Sequence, residues 1–433
     1  MKKKVALHNL GCKVNAYELE AMRQMLLTGG YEIVPFDVDA DIYIINTCTV
    51  TNVADRKSRQ MIRKAKKMNS KSVIVAAGCY VQASADELKD DDVVDIIIGN
   101  NNKQNLLSIL DEYFARNDKL QAVTDINAVA EYEELSVFET AENTRAYIKV
   151  QDGCNQFCTY CIIPYMRGRV RSRALADVER EAKRLAKVGY QEVVLTGIHL
   201  SSYGLEREEK EGLLKLIKVV HGIDEIKRIR LGSLEPRIIT ETFVKELAKL
   251  KKVCPHFHLS LQSGCDTTLR RMNRRYTTKE YREKCDILRA YYDQPSITTD
   301  IIVGFPGETE AEFEITKQFI KTISFYETHI FKYSPREGTK AASMPEQVAE
   351  SIKGQRSKVL IALGYEQKQA FMKRFLGKEL SVLIEEEVVI EGKQYLVGHT
   401  PEYLKVALEG DRSLFHKIVT ITAKGILAED YIV

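Results

Sequence analysis

Short runs of β-branched and other apolar residues alternate, along most of this chain, with stretches in which apolar positions recur every three or four residues. Over the first 125 residues, the runs at 5–9, 41–46, 72–77 and 94–98 read as buried parallel strands. Between them, 16–27, 52–67 and 102–115 carry helical periodicity. That alternation predicts a doubly wound α/β domain over 1–125. A polar, acidic stretch at 126–144, containing EYEELSVFETAEN, reads as a linker or wrapping segment. A second series follows, with strands at 146–151, 192–195, 226–231, 257–261, 298–303 and 326–333. Helices at 177–187, 213–220, 241–250, 279–292 and 310–322 separate them. Six such repeats fall short of the eight of a closed barrel, so a partial (β/α)6 barrel, open on one side, is predicted over 145–370. Its end is a long polar helix over 345–375. The tail, 371–433, switches to short strands at 380–385, 395–398, 405–408, 417–422 and 426–428, divided by glycines and charged turns. That spacing predicts a small antiparallel β-barrel of OB-like size.

Composition fits this outline. The 433 residues suffice for about three domains, and 44% hydrophobic with 29% charged residues is ordinary globular usage. The start MKKKVALHNLGC has three apolar residues before His8 and Asn9, too few for a signal-peptide core. No stretch is long enough to span a bilayer. Nine cysteines then read as reduced thiols or metal ligands of a cytoplasmic protein.

The cysteines carry the chemistry. Cys154, Cys158 and Cys161, in GCNQFCTYC, put three thiols on one short loop with C-x3-C-x2-C spacing. Three thiolates hold a cubane iron–sulfur cluster by three irons and leave the fourth open. A closed zinc site would need a fourth ligand, and no Cys or His stands close by. Three unrelated buried thiols are the plain alternative. Cys12, Cys48 and Cys79 form a second set, each just past a predicted parallel strand: NLGC, NTCT, AAGC. Such strand ends share one sheet edge, where ligands bind, and Gly11 and Gly78 would let backbone approach a bulky inorganic group. Small residues in tight turns would give the same spelling. Cys254, Cys265 and Cys285 have no ligand spacing and read as core.

A net charge of +3 does not announce nucleic acid, but its placement suggests phosphate. KSRQMIRKAKK sets Lys57, Arg59, Arg63, Lys64, Lys66 and Lys67 on one helix, and RRMNRRY adds Arg270, Arg271, Arg274 and Arg275. Arg167, Arg169, Arg171 and Arg173 alternate beyond the cysteine loop. Solvated faces or salt bridges would account for each cluster singly; together they favour a phosphate-bearing partner. The tail runs the other way, with eight Lys or Arg against ten Asp or Glu over 371–433. Lys405, Arg412, Lys417 and Lys424, with Tyr395, Tyr403 and Phe415 for stacking, would still make an RNA face there.

With Tyr160 as the aromatic of C-x3-C-x-Φ-C, the loop resembles the signature of radical S-adenosylmethionine enzymes. The order of the N-terminal cysteine set, central partial barrel and small C-terminal barrel resembles the methylthiotransferases over essentially the whole chain. LGCKVNAYE at 10–18 and NTCTVTNVADRKSRQ at 46–60 resemble the branch acting on N6-threonylcarbamoyladenosine in tRNA. The isopentenyladenosine branch (YGCQMN-like) and the ribosomal-protein S12 branch (LGCPKN-like) differ at the residues after Cys12. The resemblance implies two [4Fe–4S] clusters, on Cys12, Cys48 and Cys79 and on Cys154, Cys158 and Cys161, with S-adenosylmethionine as cofactor. It implies a 5′-deoxyadenosyl radical that takes hydrogen from C2 of adenine, sulfur from the N-terminal cluster, and a TRAM domain that holds RNA. Tyr160, Thr196, Gly197, Ser233, Glu235, Gln262, Gly304 and Gly307 are then expected beside the cofactor, and Arg167, Arg169, Arg171, Lys405 and Lys417 on RNA. Taken alone, Gly304 and Gly307 signal only a tight turn. His199 and His258 either touch substrate or are satisfied barrel residues. Expected partners are the tRNA anticodon stem-loop and an electron donor such as flavodoxin or ferredoxin; a monomer away from membranes is expected. The rivals are the two sibling branches and, in another class, a non-catalytic iron–sulfur RNA-binding or electron-carrier protein.

Overall fold

A computed structural model describes residues 2–137 and 144–433. The N-terminal sheet is built from β1 (Lys4–Asn9), α1 (Lys13–Thr28), β2 (Glu32–Val34), β3 (Ile42–Thr47), α2 (Asn52–Met68), β4 (Val73–Gly78), α3 (Cys79–Ala83), α4 (Ala85–Lys89), β5 (Ile96–Ile98), α5 (Leu106–Arg116) and β6 (Leu120–Ala122). Its six strands lie in the order β2-β1-β3-β4-β5-β6, all paired in parallel. Strand β3, IYIINT, is buried along its whole length because helices cover both faces. Ile42 and Ile44 pack with Met22 and Leu26 on one side, Tyr43 and Ile45 with Ile62 and Ala65 on the other. Each such isoleucine contributes about 1.5–3 kcal/mol by leaving water. The strands β2 and β6 are additions to the expected four: three residues each, at the sheet edges and only half-buried, they leave no periodic signature.

The central part runs through β7 (Arg145–Asp152), α6 (Ile163–Arg167), β8 (Arg171–Ser172), α7 (Leu175–Lys187), β9 (Glu192–Gly197), α8 (Gly212–His221), β10 (Arg228–Leu231), α9 (Glu241–Leu247), β11 (His256–His258), α10 (Asp266–Arg271), α11 (Thr278–Tyr291), β12 (Ser296–Val303), α12 (Glu310–Ile323) and β13 (Glu327–Lys332). Two sheets, β10-β9-β7-β8 and β11-β12-β13, are joined by single bridges at Ile229↔Val253 and Leu234↔Leu259. Six strands therefore run parallel in series, with β8 antiparallel on β7. Ala146, Ile148 and Val150 of β7 pack outward with Val178, Ala182 and Leu185 of α7. By the two-residue period of a strand, Arg145, Tyr147, Lys149 and Gln151 face inward. The inner side of this series is a polar hollow, and α1 lies along it: Glu18 Oε1 is 2.8 Å from Lys149 Nζ.

Helix α13 (Glu350–Lys373) leads to β14 (Glu379–Ile390), β15 (Lys393–His399), β16 (Lys405–Leu408), β17 (Ile418–Thr422), β18 (Ile426–Leu427) and β19 (Tyr431–Ile432). This sheet, ordered β17-β14-β15-β16-β19-β18, is antiparallel except where β16 meets β19. It docks on the central strands through arginines. Arg228 donates to the carbonyls of His399 and Ser381, both at 2.9 Å, and Arg230 to that of Pro401 at 2.9 Å.

The stretch before β7 wraps rather than dangles. Leu135 and Val137 are buried against Tyr17 and Ala21, and Tyr132 Oη donates to the Lys149 carbonyl at 2.8 Å. The rest of the expected linker, 138–143, lies outside the described residues. Among the described residues no helix is long and apolar enough to cross a membrane.

Candidate active site at two thiol sets

Strands β1, β3 and β4 are neighbours in register, so the residues that leave their carboxyl ends emerge side by side. Those residues lead to Cys12, Cys48 and Cys79. Gly11 and Gly78 close the loops on one another rather than on a ligand. A Cβ on Gly11 (φ 113°) would stand 3.1 Å from Cys48 Sγ, and one on Gly78 (φ 97°) 2.5 Å from Asn46 Oδ1. Asn15 donates to the carbonyls of Leu10 at 2.8 Å and Thr47 at 2.9 Å, and Asn46 returns a bond to the Asn15 carbonyl at 2.9 Å. Two asparagines thus lock the Cys12 and Cys48 loops. Burial pushes the Cys12 thiol up, partly offset by Arg167, and pushes Cys48 up to about 11, with Cys79 and Cys12 adding to the rise.

The second set sits on the loop between β7 and α6. The Cys154 amide donates to Gly168 at 3.0 Å, and the Cys161 amide to Cys158 at 2.9 Å, which folds the loop back on itself. Burial pushes Cys154 up to about 11 and Cys161 up to about 12. Arg274, from the RRMNRRY run, donates to Cys158 Sγ at 3.3 Å and works against both shifts. Its sequence suggests a place at phosphate; the structure makes it a cation on sulfur.

Three thiolates on one ion of zinc would stand about 4 Å apart, from Zn–S bonds of ~2.3 Å. Among the described residues, neither cysteine set brings its three sulfurs within 4.8 Å of one another. Each set is nevertheless close enough for its thiols to raise one another's pKa. That spacing leaves room for a cluster of several irons. The two sets also adjoin. Asn100 Nδ2 lies 3.6 Å from Cys79 Sγ and donates to the Met166 carbonyl of α6, just beyond Cys161, at 2.8 Å.

Two of the arginines expected on RNA are buried instead. Arg167 donates to Glu18 Oε1 at 2.7 Å and to Asn15 Oδ1 at 2.6 Å. Its charge faces Cys79, Glu18 and Asp152, which hold the guanidinium charged despite burial. Arg171 is 2% exposed, with Nη1 on the Arg169 carbonyl at 3.3 Å. Arg167 ends α6 and Arg171 opens β8, with a turn at Gly168 (φ 69°) between them, so the three arginines do not share one strand face; Arg167 is taken by the ion pairs that seat α1. Arg169 is exposed, its guanidinium 4.6 Å over the Phe157 ring. Lys405 and Lys417 are exposed too. Tyr403 is not free to stack on a base: it lies between His256 (4.8 Å) and His399 (4.5 Å), with Arg230 4.7 Å from its ring centroid.

Of the residues expected beside the cofactor, Tyr160 is nearest the second set, its hydroxyl kept protonated by burial and by Cys158. Glu235 is 7% exposed, held by Arg237 at 2.8 Å, and raises the Cys154 thiol. Thr196 and Gly197 end β9; Ser233 is exposed. Gln262 is held left-handed at φ 68°, its amide on the Asp300 carbonyl at 2.9 Å, a strained geometry for a residue with a Cβ. Gly304 and Gly307 face elsewhere. A Cβ on Gly304 would meet the Lys353 stem at 2.3 Å, and one on Gly307 would meet Glu346 at 3.1 Å. Their turn packs against the start of α13 and the segment leading into it. His199 is bonded to Ser202 Oγ at 2.6 Å and pushed down to about 4, chiefly by burial, so it is neutral. His258 bonds Thr298 through Nδ1 at 3.0 Å. Cys254, Cys265 and Cys285 are buried, as expected. One anchor had no sequence signal: Arg336, beyond β13, binds Thr49 Oγ1 and Asp55 at 2.7 Å and pins the Cys48 loop.

Residues 148–320 match the Radical SAM superfamily, and residues 4–99 match the uncharacterized protein family UPF0004. The chain is 41% identical to the threonylcarbamoyladenosine tRNA methylthiotransferase MtaB of Bacillus subtilis (strain 168), over 96% of this chain and 93% of the relative. The chain belongs to the radical S-adenosylmethionine methylthiotransferases. The relative of the same description from Aquifex aeolicus (strain VF5) is also 41% identical, over 91% and 95% of the two chains. A tRNA-2-methylthio-N(6)-dimethylallyladenosine synthase from Pelotomaculum thermopropionicum is 35% identical over 98% and 95%. The fold is shared with the radical S-adenosylmethionine methyltransferase TsrM from Kitasatospora setae, at 16% identity and a TM-score of 0.59 over 79% of this chain and 77% of that one. As a radical S-adenosylmethionine methylthiotransferase, the chain uses two [4Fe–4S] clusters and S-adenosylmethionine.

Proposed function

We propose that this chain attaches a methylthio group to C2 of N6-threonylcarbamoyladenosine in the anticodon stem-loop of tRNA. The observation that carries the choice of substrate is the polar hollow below the thiol sets. Its wall presents Arg145, Arg230, His258, Asp300 and His329, with His258 Nε2 3.3 Å from Asp300. A dimethylallyl group is hydrocarbon and would take water from polar groups there without replacing its hydrogen bonds; a threonylcarbamoyl group brings a carboxylate, a hydroxyl and amides that such a wall can bind.

Bound at the thiol sets, the clusters and S-adenosylmethionine supply the radical that removes the C2 hydrogen and the sulfur and methyl that replace it. The chain's own residues hold, orient and shield. Tyr160, Thr196, Gly197, Ser233, Glu235 and Gln262 border the cofactor, and the strain at Gln262 supports such a role. The central strands form a partial barrel over 145–370, and 371–433 is a TRAM domain holding RNA with Lys405 and Lys417; 1–125 and the connecting 126–144 complete the domains. Arg169 adds a phosphate contact beside the cluster loop, and the exposed cations of α2 extend the surface. A cavity of about 360 Å³, bordered by Cys158, Arg270, Arg271 and Lys340, gives a flavodoxin- or ferredoxin-type donor an approach to the second cluster. The protein acts as a cytoplasmic monomer.

The test is conversion. Reconstituted protein with S-adenosylmethionine and reductant is given anticodon stem-loops bearing either threonylcarbamoyladenosine or isopentenyladenosine, and the nucleosides are read by mass spectrometry. A 2-methylthio product from the first substrate alone is expected; product from the second alone moves the chain to the sibling branch.

A further inference from the structure

In the hollow, most cations are already committed. Arg145 is paired with Glu385 at 3.0 Å. Arg230 and Arg228 share Glu192 at 2.7 and 3.6 Å, and both also donate to backbone carbonyls of the C-terminal sheet. His258 and Asp300 face each other at 3.3 Å. His399 is hydrogen-bonded to Glu385 at 2.9 Å and is kept neutral by burial. Lys13 is different. It opens α1 directly after Cys12, and its ammonium lies within electrostatic range of Tyr403, Arg145, Arg230 and Asp300. Among the described residues it has no hydrogen bond and no ion pair with any of them.

With Glu402 facing Arg228, the cations Lys13, Arg145, Arg228 and Arg230 are matched in number by Glu192, Glu385, Asp300 and Glu402, yet among the described residues none of these carboxylates pairs with Lys13. Lys13 is exposed, so water solvates its ammonium until a negative group takes that place. The reaction says where that group comes from. C2 and N6 flank N1 on one edge of adenine, so a base that turns C2 toward the thiol sets keeps its N6 substituent beside them, within reach of a side chain that directly follows Cys12.

We infer that Lys13, the unpaired cation between the Cys12 loop and the Arg145–Tyr403–Arg230 stack, binds the carboxylate of the N6 substituent and selects threonylcarbamoyladenosine over its uncharged siblings. This rests on the substrate reading above and assigns it to one side chain. The hydroxyl of the threonyl group then meets the His258, Asp300 and His329 cluster, whose ligand atoms lie within 4.8 Å of one another. The lysine stem supplies reach from the helix start; the chain needs no mobile segment to close on the substituent.

Binding without turnover tests this. Full-length reconstituted protein is titrated with an anticodon stem-loop carrying threonylcarbamoyladenosine and with the same RNA whose carboxyl is capped as a methyl ester. The native protein should prefer the free acid by about tenfold to a hundredfold, the range of a charged hydrogen bond. Lys13→Met should lose that preference and bind both RNAs alike, with KM raised far more than kcat falls, and Lys13→Arg should restore part of it. Iron content and melting temperature report whether each variant is intact. Should Lys13→Met lose its clusters, the comparison of acid with ester on the native chain still decides. Equal binding of acid and ester by the native protein, or a preference that survives in Lys13→Met, overturns the assignment. If the native protein binds but never methylthiolates threonylcarbamoyladenosine, the substrate reading itself has failed.

Discussion

Arg167 and Arg274 stand one at each thiol set, and each meets a charge that the sulfurs will carry once iron is bound. Arg274 donates to Cys158 Sγ at 3.3 Å. A cation on a cluster ligand favours the reduced, more negative form, so Arg274→Met should make the second cluster harder to reduce. A redox titration followed by EPR should show a more negative midpoint, by ~59 mV for every tenfold change in the one-electron equilibrium; an unchanged midpoint with full iron content would remove this role. Arg167 belongs to a buried network in which Glu18 receives Lys103 at 2.9 Å, Lys149 at 2.8 Å and Arg167 at 2.7 Å. Lys149 and Arg167 share Asp152 as well. Glu18→Gln leaves those cations short of a counter-charge, and a loss of about 3–5 kcal/mol is expected from chemical denaturation. The same network sets a pH dependence. Although burial pushes Glu18 and Asp152 up, the surrounding cations outweigh it and hold both carboxyls well below their usual range. Their stabilisation is therefore complete above the unfolded carboxyl values of ~4 and is lost as pH falls below them. Native protein should lose melting temperature steeply below about pH 4, and Glu18→Gln less so.

At the scale of elements, helix α2 carries Arg56, Lys57, Arg59, Arg63, Lys64 and Lys67 to solvent. Asp55, the acid in its first turn, is taken by Arg336 at 2.7 Å. The helix therefore presents a nearly unmixed positive face, rooted beside the Cys48 loop. Charge reversal at Lys57, Arg63 and Lys64 should weaken tRNA binding and flatten its salt dependence, by up to ~0.9 in log–log slope for each phosphate that is no longer neutralised. Filter binding across a salt series reads both; an unchanged slope would clear α2 of a role in holding RNA. This surface was legible in the sequence because, apart from Arg59, which lies over the Tyr80 ring, its cations point to solvent. The RGRVRSR run looked just as basic, yet the turn from α6 into β8 carries Arg167, Arg171 and Arg173 inward, where Glu18 takes Arg167 and Glu181 takes Arg173.

For the whole molecule, the C-terminal sheet is more than an appended RNA module. It supplies the Ser381, His399 and Pro401 carbonyls that Arg228 and Arg230 need, Glu385 for Arg145, and Tyr403 at the floor of the hollow. Truncation after Arg374 should lower the melting temperature of the remaining protein, because buried guanidiniums lose their acceptors. A truncated protein that melts like the full chain but binds tRNA poorly would make the sheet a separable RNA module. Loading of the intact protein should approach eight irons, about four per thiol set; about four in total would remove one cluster.

The sequence by itself determined the main alternation of strands and helices, the two cysteine sets and the family, because apolar periodicity, strand-end placement and the C-x3-C-x2-C spacing are local properties. The wall of the hollow was not legible, since its members come from β7, β10, β11, β12, β13 and the C-terminal sheet, and no local pattern says which charges will meet. Only the tertiary structure decided that Arg167 and Arg171 are internal, that Gly304 makes room for Lys353, and that Tyr403 is a packing residue. It alone left Lys13, among the described residues, without a hydrogen bond or ion pair, for pairing between distant charges depends on which faces the fold brings together.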